Sequence, residues 1–140
     1  MKTILMLLLL SGFAWGQVAV RTQTVMRFGD LERGLRSAGD LSARGAYLTD
    51  DFEERVCAEP GTPIPRSDWL QRPVQILSFS QEAVHDFGIT AIYSAFASNE
   101  TVNDAIVDVW KQVDGEWKLA VRYRCPATGN KPPGSLSKKY

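Results

Sequence analysis

Two carboxylates and two guanidinium groups flank a single turn. Asp104 and Asp108 lie in DAIVDVW, Arg122 and Arg124 lie in VRYRC, and Asp114-Gly115 separates these two alternating runs. A carboxylate held in a dry pocket has a raised pKa and can remove a proton beside a carbonyl, which would make Asp108 a general base. The same carboxylate paired with an arginine on a solvated face does no chemistry. The hairpin register decides between them, because a one-residue slip moves every side chain to the other face. If Asp114-Gly115 is a two-residue loop, Trp110 stands opposite Leu119 and Asp108 opposite Val121, so both aspartates share the apolar face. If Val113 joins a three-residue loop with Gly115 left-handed, Ala105, Val107 and Val109 join Trp117, Leu119, Val121 and Tyr123 inside. Asp104 and Asp108 then join Arg122 and Arg124 outside. The second register buries no lone carboxylate, a burial that costs several kcal/mol, and it is the register expected here. It leaves Ile106 and Trp110 among paired charges on an outer face suited to a homodimer contact.

Other chemistry finds fewer residues. His85 is the single histidine and no GxSxG elbow is present, which leaves no Ser-His-Asp arrangement; no Gly-rich phosphate loop occurs either. One histidine and two cysteines are too few for a zinc site, so neither metal nor cofactor is expected. Asp51 is a second candidate base, although turn propensity at Asp50-Asp51 accounts for both residues. Tyr47, Trp69, Tyr93, Trp117 and Tyr123 combine apolar bodies with polar tips, which suits either a ligand pocket or a core with satisfied hydroxyls. Arg66 is a loop charge or a grip on an acidic ligand at a pocket mouth. Asn99-Glu100-Thr101 is a glycosylation sequon on a turn, meaningful only in a eukaryotic source.

The elements that must position these groups begin after a leader. Lys2, the apolar run Ile4–Leu10 and the small-x-small site Ala14-Trp15-Gly16 form a secretory signal peptide over 1–16, with the mature chain expected to start at Gln17. The run is too short to anchor the chain in a bilayer, so a secreted or periplasmic product without a membrane partner is expected. Cys57 and Cys125, exposed to an oxidising compartment, are expected to join as a disulfide rather than remain two buried thiols. Acidic and basic side chains balance at 16 each, and no basic stripe is present to meet nucleic acid. The roughly 120 residues left after cleavage are one domain.

Within that domain Val25, Phe28, Leu31 and Leu35 recur at spacings of three and four, marking a helix over about 21–38 that Gly39 ends. Asp40 caps a second, shorter helix. Phe52–Cys57 reads as a strand, AEPGTPIPR as a loop and RSDWLQ as a helical turn stopped by Pro73. Five further runs, Val74–Ser80, Ala83–Phe87, Ile89–Ser98, Thr101–Gln112 and Trp117–Arg124, alternate as strands. Helices followed by an antiparallel meander define an α+β domain over 17–125, and PATGNKPPGSLSKKY, 126–140, has the composition of a disordered tail.

The phrases YLTDDFEERV, IPRSDWL, ILSFSQEAVHDFGITAIYSAF and DVWKQVDGEWKLAVRY, in that order, resemble the SnoaL-like and ketosteroid-isomerase-like superfamily, also called nuclear transport factor 2-like. The likeness covers about Thr22–Cys125 and is nearest to domain of unknown function 4440. It implies a cystatin-like cone, a curved antiparallel sheet wrapped around the N-terminal helices with an apolar pocket between them. It also implies an apolar small-molecule ligand among Tyr47, Trp69, Tyr93, Trp117 and Tyr123. A cofactor-free isomerase, cyclase or lyase would use a cone carboxylate, Asp51 or Asp108, with Tyr123 stabilising the oxyanion. A third possibility is a dimerisation module with a vestigial pocket. Members with paired histidines on the last strand would carry them near Val121 and Tyr123, where this sequence has none.

Overall fold

The computed structural model describes residues 23–57 and 61–127. The expected signal peptide and all but the first two residues of the expected tail lie outside them. Helix α1 spans 23–37 and α2 spans Leu41–Ala46. Asp40 caps α2 through a 2.7 Å hydrogen bond from the Ala43 amide, satisfying one of the open N–H groups of its first turn. Strands β1 (Leu48–Val56) and β2 (Ile64–Pro65) precede α3 (Arg66–Leu70). Four long strands follow: β3 (Ser78–Asp86), β4 (Thr90–Ser98), β5 (Asn103–Val113) and β6 (Glu116–Pro126).

The six strands form one curved sheet in the order β2-β1-β6-β5-β4-β3. All neighbours are antiparallel except β1 and β6, which run parallel, a departure from the wholly antiparallel sheet expected. The strands expected at Val74–Ser80 and Ala83–Phe87 are one strand, β3, bent by a bulge between Ser80 and Ala83 where Gln81 takes a positive φ of 52°. Phe28 and Leu35 of α1 pack with Leu48, Phe52, Tyr93, Ile106, Trp110 and Leu119 on the inner face of the sheet, while Trp117 meets Phe28 edge-on. Gly34 lets Tyr47 approach α1, since a Cβ there would stand 2.5 Å from the tyrosine hydroxyl.

The hairpin register differs from the expected one. Asp114 and Gly115 have φ of 52° and 82°, the left-handed pair of a two-residue type I′ turn, so Val113 pairs with Glu116 and Trp110 with Leu119. A bulge at Ala120 then advances β6 by one residue, which sets Asp108 opposite Arg122 and Ile106 opposite Arg124. Ile106, Asp108, Trp110, Leu119 and Arg122 are therefore buried on the inner face. Ala105, Val107, Val109, Val121 and Tyr123 occupy the outer one. The expectation that Asp104 and Asp108 face outward is overturned. Each carboxylate brings its arginine inside, so the penalty for a lone buried charge does not arise in the form supposed.

Candidate functional site

The inner face carries a string of buried ion pairs. Asp108 and Arg122 are 0% and 1% exposed, and the guanidinium donates to both aspartate oxygens, Nε to Oδ1 at 2.8 Å and Nη2 to Oδ2 at 2.6 Å. Arg122 also donates to Glu32, which sits on the buried stripe of α1 between Phe28 and Leu35. One turn later Arg36 gives Glu32 a second hydrogen bond at 2.8 Å. Glu32 thus has two cations while Asp108 must share one. Burial works to raise the Glu32 carboxyl, but Arg122 and Arg36 outweigh it and hold the group below its ordinary value. Burial, with the negative Glu32 alongside, pushes Asp108 up to about 7 against the pull of Arg122. Burial acts to lower Arg122, and the two carboxylates more than reverse this.

A second set lies toward the open end. Glu54, buried on β1, accepts from Trp69 Nε1 at 2.9 Å, from Arg124 Nε at 3.2 Å and from Arg72 Nη1 at 3.3 Å. Arg124 continues to Asp104 at 3.2 Å. Arg44 of α2 lies over the Trp69 ring at 5.0 Å from its centroid, and its Nη1 donates to the carbonyls of Leu70 and Arg72. Between these groups is a cavity of about 290 Å³, walled by Trp69, Arg36, Arg44, Arg72, Arg122 and Arg124 and by apolar atoms of Leu35, Leu77 and Ile106. Space for it comes from β4, whose inner face carries alanines: Ala97 lies opposite Asp104 and Ala95 opposite Ile106.

Of the five aromatic residues expected around this cavity, Trp69 is on its wall. The other four stand elsewhere, so the expected apolar lining is replaced by a charged one. Tyr47 packs against α1, and Trp117 packs on Phe28. Tyr93 is buried with its hydroxyl donating to Glu82 at 2.9 Å; burial first and Glu82 second raise its pKa. Tyr123 is 41% exposed on the outer face. Asp51 is exposed on β1 away from the cavity, His85 is exposed on β3, and Arg66 donates to the Gly45 carbonyl at 3.0 Å. Asp108 lies beneath Arg122 and does not line the cavity. Glu32, Glu54, Arg36, Arg44 and Arg72 are site residues that the sequence reading missed. Glu32 was legible, since it falls on the same helical stripe as Phe28 and Leu35.

No protein-family profile matches the sequence and no curated protein is similar to it, so the narrower likeness to domain of unknown function 4440 has no such support. Solved structures are similar in shape. A putative ketosteroid isomerase from Parabacteroides distasonis superposes with a TM-score of 0.57 at 13% identity, covering 72% of this chain and 86% of its own. A nuclear transport factor 2-like protein from Cytophaga hutchinsonii gives 0.59 at 16% identity, covering 71% and 95%. A cystatin-like protein of unknown function from Nostoc punctiforme gives 0.60 at 11% identity, covering 74% and 91%. The chain therefore has the α+β cone fold of the nuclear transport factor 2-like, ketosteroid-isomerase-like superfamily that its motifs resemble. At these identities the likeness carries the fold and not an activity.

Proposed function

We propose that the chain is an exported small-molecule-binding domain of the SnoaL-like class, holding its ligand in the cavity beside Trp69. The observation that carries this reading is the cavity itself, an opening of about 290 Å³ at the mouth of the cone, close to the lower end of the usual range for ligand pockets. The carboxylates around it are already engaged by arginines, an arrangement suited to orienting a bound molecule more than to proton transfer. Export is supported by the leader motif and by the Cys57–Cys125 disulfide, a bond favoured outside the cytosol. Native mass spectrometry of protein purified from its own host tests the reading. The expected result is a mature chain starting at Gln17 with a small molecule lost on denaturation; a chain with no adduct under any gentle condition would count against it.

One observation favours the alternative of a cofactor-free isomerase, cyclase or lyase. The Asp108 carboxyl, pushed up to about 7, is in the range of a general base. To act it would have to leave Arg122 and reach the cavity. Turnover of an apolar ketone that Asp108→Asn abolishes while the cavity still binds ligand would establish this reading in place of the first.

Self-association is proposed through the outer face. Ile92, Val109 and Val121 lie side by side across β4, β5 and β6, as do Val107 and Tyr123, with the Glu53–Arg55 ion pair at the β1 edge. An apolar patch rimmed by charge is the composition of a protein–protein contact. The homodimer face is then this one, in place of the Ile106 and Trp110 face expected from the other register.

A further inference from the structure

Five arginines and four carboxylates make up the charged lining and its supports: Arg36, Arg44, Arg72, Arg122 and Arg124 against Glu32, Glu54, Asp104 and Asp108. Four of the five arginines have a carboxylate partner: Arg36 with Glu32, Arg72 with Glu54, Arg122 with Asp108 and Glu32, and Arg124 with Glu54 and Asp104. Arg44 has none among the described residues. It is nonetheless 7% exposed, and its Nε has no acceptor. An arginine cannot shed its proton to escape such a site, so the unmatched charge remains. Burying an unpaired ion is among the costlier arrangements a domain can hold. Backbone carbonyls of Leu70 and Arg72 and the Trp69 face offset part of the cost, without supplying a negative charge.

We propose that the cone takes a small organic monoanion, a carboxylate, whose charge is met by Arg44 and whose body lies along Trp69 and the apolar wall. This rests on the small-molecule-binding reading and names the class of ligand. The lining carboxylates Glu54 and Asp104 are both engaged by Arg72 and Arg124, so the negative charge of a ligand would answer the one lining arginine that has no carboxylate. A guanidinium offers a carboxylate strong N–H donors; Arg44 Nη1 is engaged by the two carbonyls and its Nε is buried away from the cavity, so Nη2 is the donor left for a ligand. A dianion would bring a second negative charge against Glu54 and Asp104 on the same wall. The apolar ligand implied by the superfamily resemblance has no partner for Arg44 and is disfavoured for this chain.

Thermal unfolding of the mature protein is followed with acetate, butyrate, benzoate and phenylacetate, with their primary amides, and with inorganic phosphate, all at matched ionic strength. The expected result is a dose-dependent rise of the midpoint with at least one of the larger carboxylates and none with the corresponding amide. Titration by Trp fluorescence should then show affinity at least tenfold weaker in Arg44→Gln, partly restored in Arg44→Lys, and unchanged in Arg33→Gln on the exposed side of α1. Should Arg44→Gln fail to fold, Arg72→Gln at the cavity mouth serves, with a loss of severalfold expected. Equal binding of amides and acids would overturn the monoanion and leave the binding domain standing. Phosphate outcompeting every carboxylate, or carboxylates binding Arg44→Gln and wild type alike, would also overturn it. Silence of the whole panel at millimolar concentrations would overturn the inference and weaken the binding reading with it.

Discussion

Arg122 grips Asp108 from the directly opposed position of the next strand, and both side chains are shut away on the inner face of the sheet. A cross-strand pair of this kind on an outer face contributes little, whereas inside it governs how the domain responds to pH and to mutation.

Acid should strengthen the contribution of Asp108 to the fold. Its folded pKa, about 7, stands above the unfolded value of 3.8, so its contribution is fully present below about pH 4 and is lost as pH rises through about 7. Glu32 runs the other way: its folded pKa is lowered, and its contribution is lost only as pH falls through that value. Between about pH 5 and pH 7.5 the urea midpoint should therefore drop, and Asp108→Asn, which resembles the protonated acid, should flatten the slope. A midpoint that climbs steadily across this window in the wild type would show Asp108 to be an ordinary ionised partner.

Removing Arg122 alone should be costly. Arg122→Met leaves Asp108 and Glu32 buried without the cation they share, a loss of about 3–5 kcal/mol. Adding Asp108→Leu, which leaves Glu32 paired with Arg36, should recover most of it. Chemical denaturation of the single and double variants provides the measurement, and a double variant as weak as the single one would mean that the charges themselves stabilise the core.

Reduction of the Cys57–Cys125 bond should destabilise the domain by about 4 kcal/mol, because it releases a loop closed over a separation of 68 residues. Comparing urea midpoints with and without a strong reductant measures this, and a difference below about 1 kcal/mol would refute the estimate.

A charge on the outer face should prevent self-association without unfolding the chain. Val107→Lys falls at a partly exposed position, so its effect on monomer stability should stay within about 0.5 kcal/mol. Sedimentation velocity should show dimeric wild type and monomeric variant; a monomeric wild type would remove the basis of the proposed interface.

The fold was largely legible because its signals are local. Helix α1 follows from Phe28, Leu31 and Leu35, the cap from Asp40, and the strands from alternation punctuated by Gly88 and Asp114-Gly115. The inner and outer faces of β5 were misassigned because the turn was read as a three-residue loop where Asp114 and Gly115 form a two-residue one. The bulge at Ala120 acts on β6, bringing Arg122 and Arg124 to the face of the aspartates, a shift no alternating pattern announces. The cost assigned to a buried carboxylate also assumed it alone, whereas Arg122 reaches Asp108 within the same register. The parity of Trp110 was the available clue: the largest apolar side chain of β5 shares its face with Asp104, Ile106 and Asp108, and that face is the buried one. The cavity wall was harder to read, since Arg44 and Arg72 arrive from a short helix and a loop, where spacing says nothing about direction.

The disulfide closes a covalent ring from Cys57 to Cys125 that contains α3 and β2 through β6 up to Cys125, while α1, α2 and all of β1 lie outside it. Trp69, Arg72, Asp104, Arg122 and Arg124 belong to the ring; Glu32, Arg36, Arg44 and Glu54 come from the tethered arm. The cone is thus assembled from two parts with different ways of coming apart. Because β1 of the arm is held between β2 and β6 in the sheet, local opening of the cavity is expected at α1 and α2 ahead of global unfolding. Amide exchange along 23–46 should then outpace exchange in β4 through β6, and a molecule filling the cavity should slow the arm most, because it touches both parts at their seam.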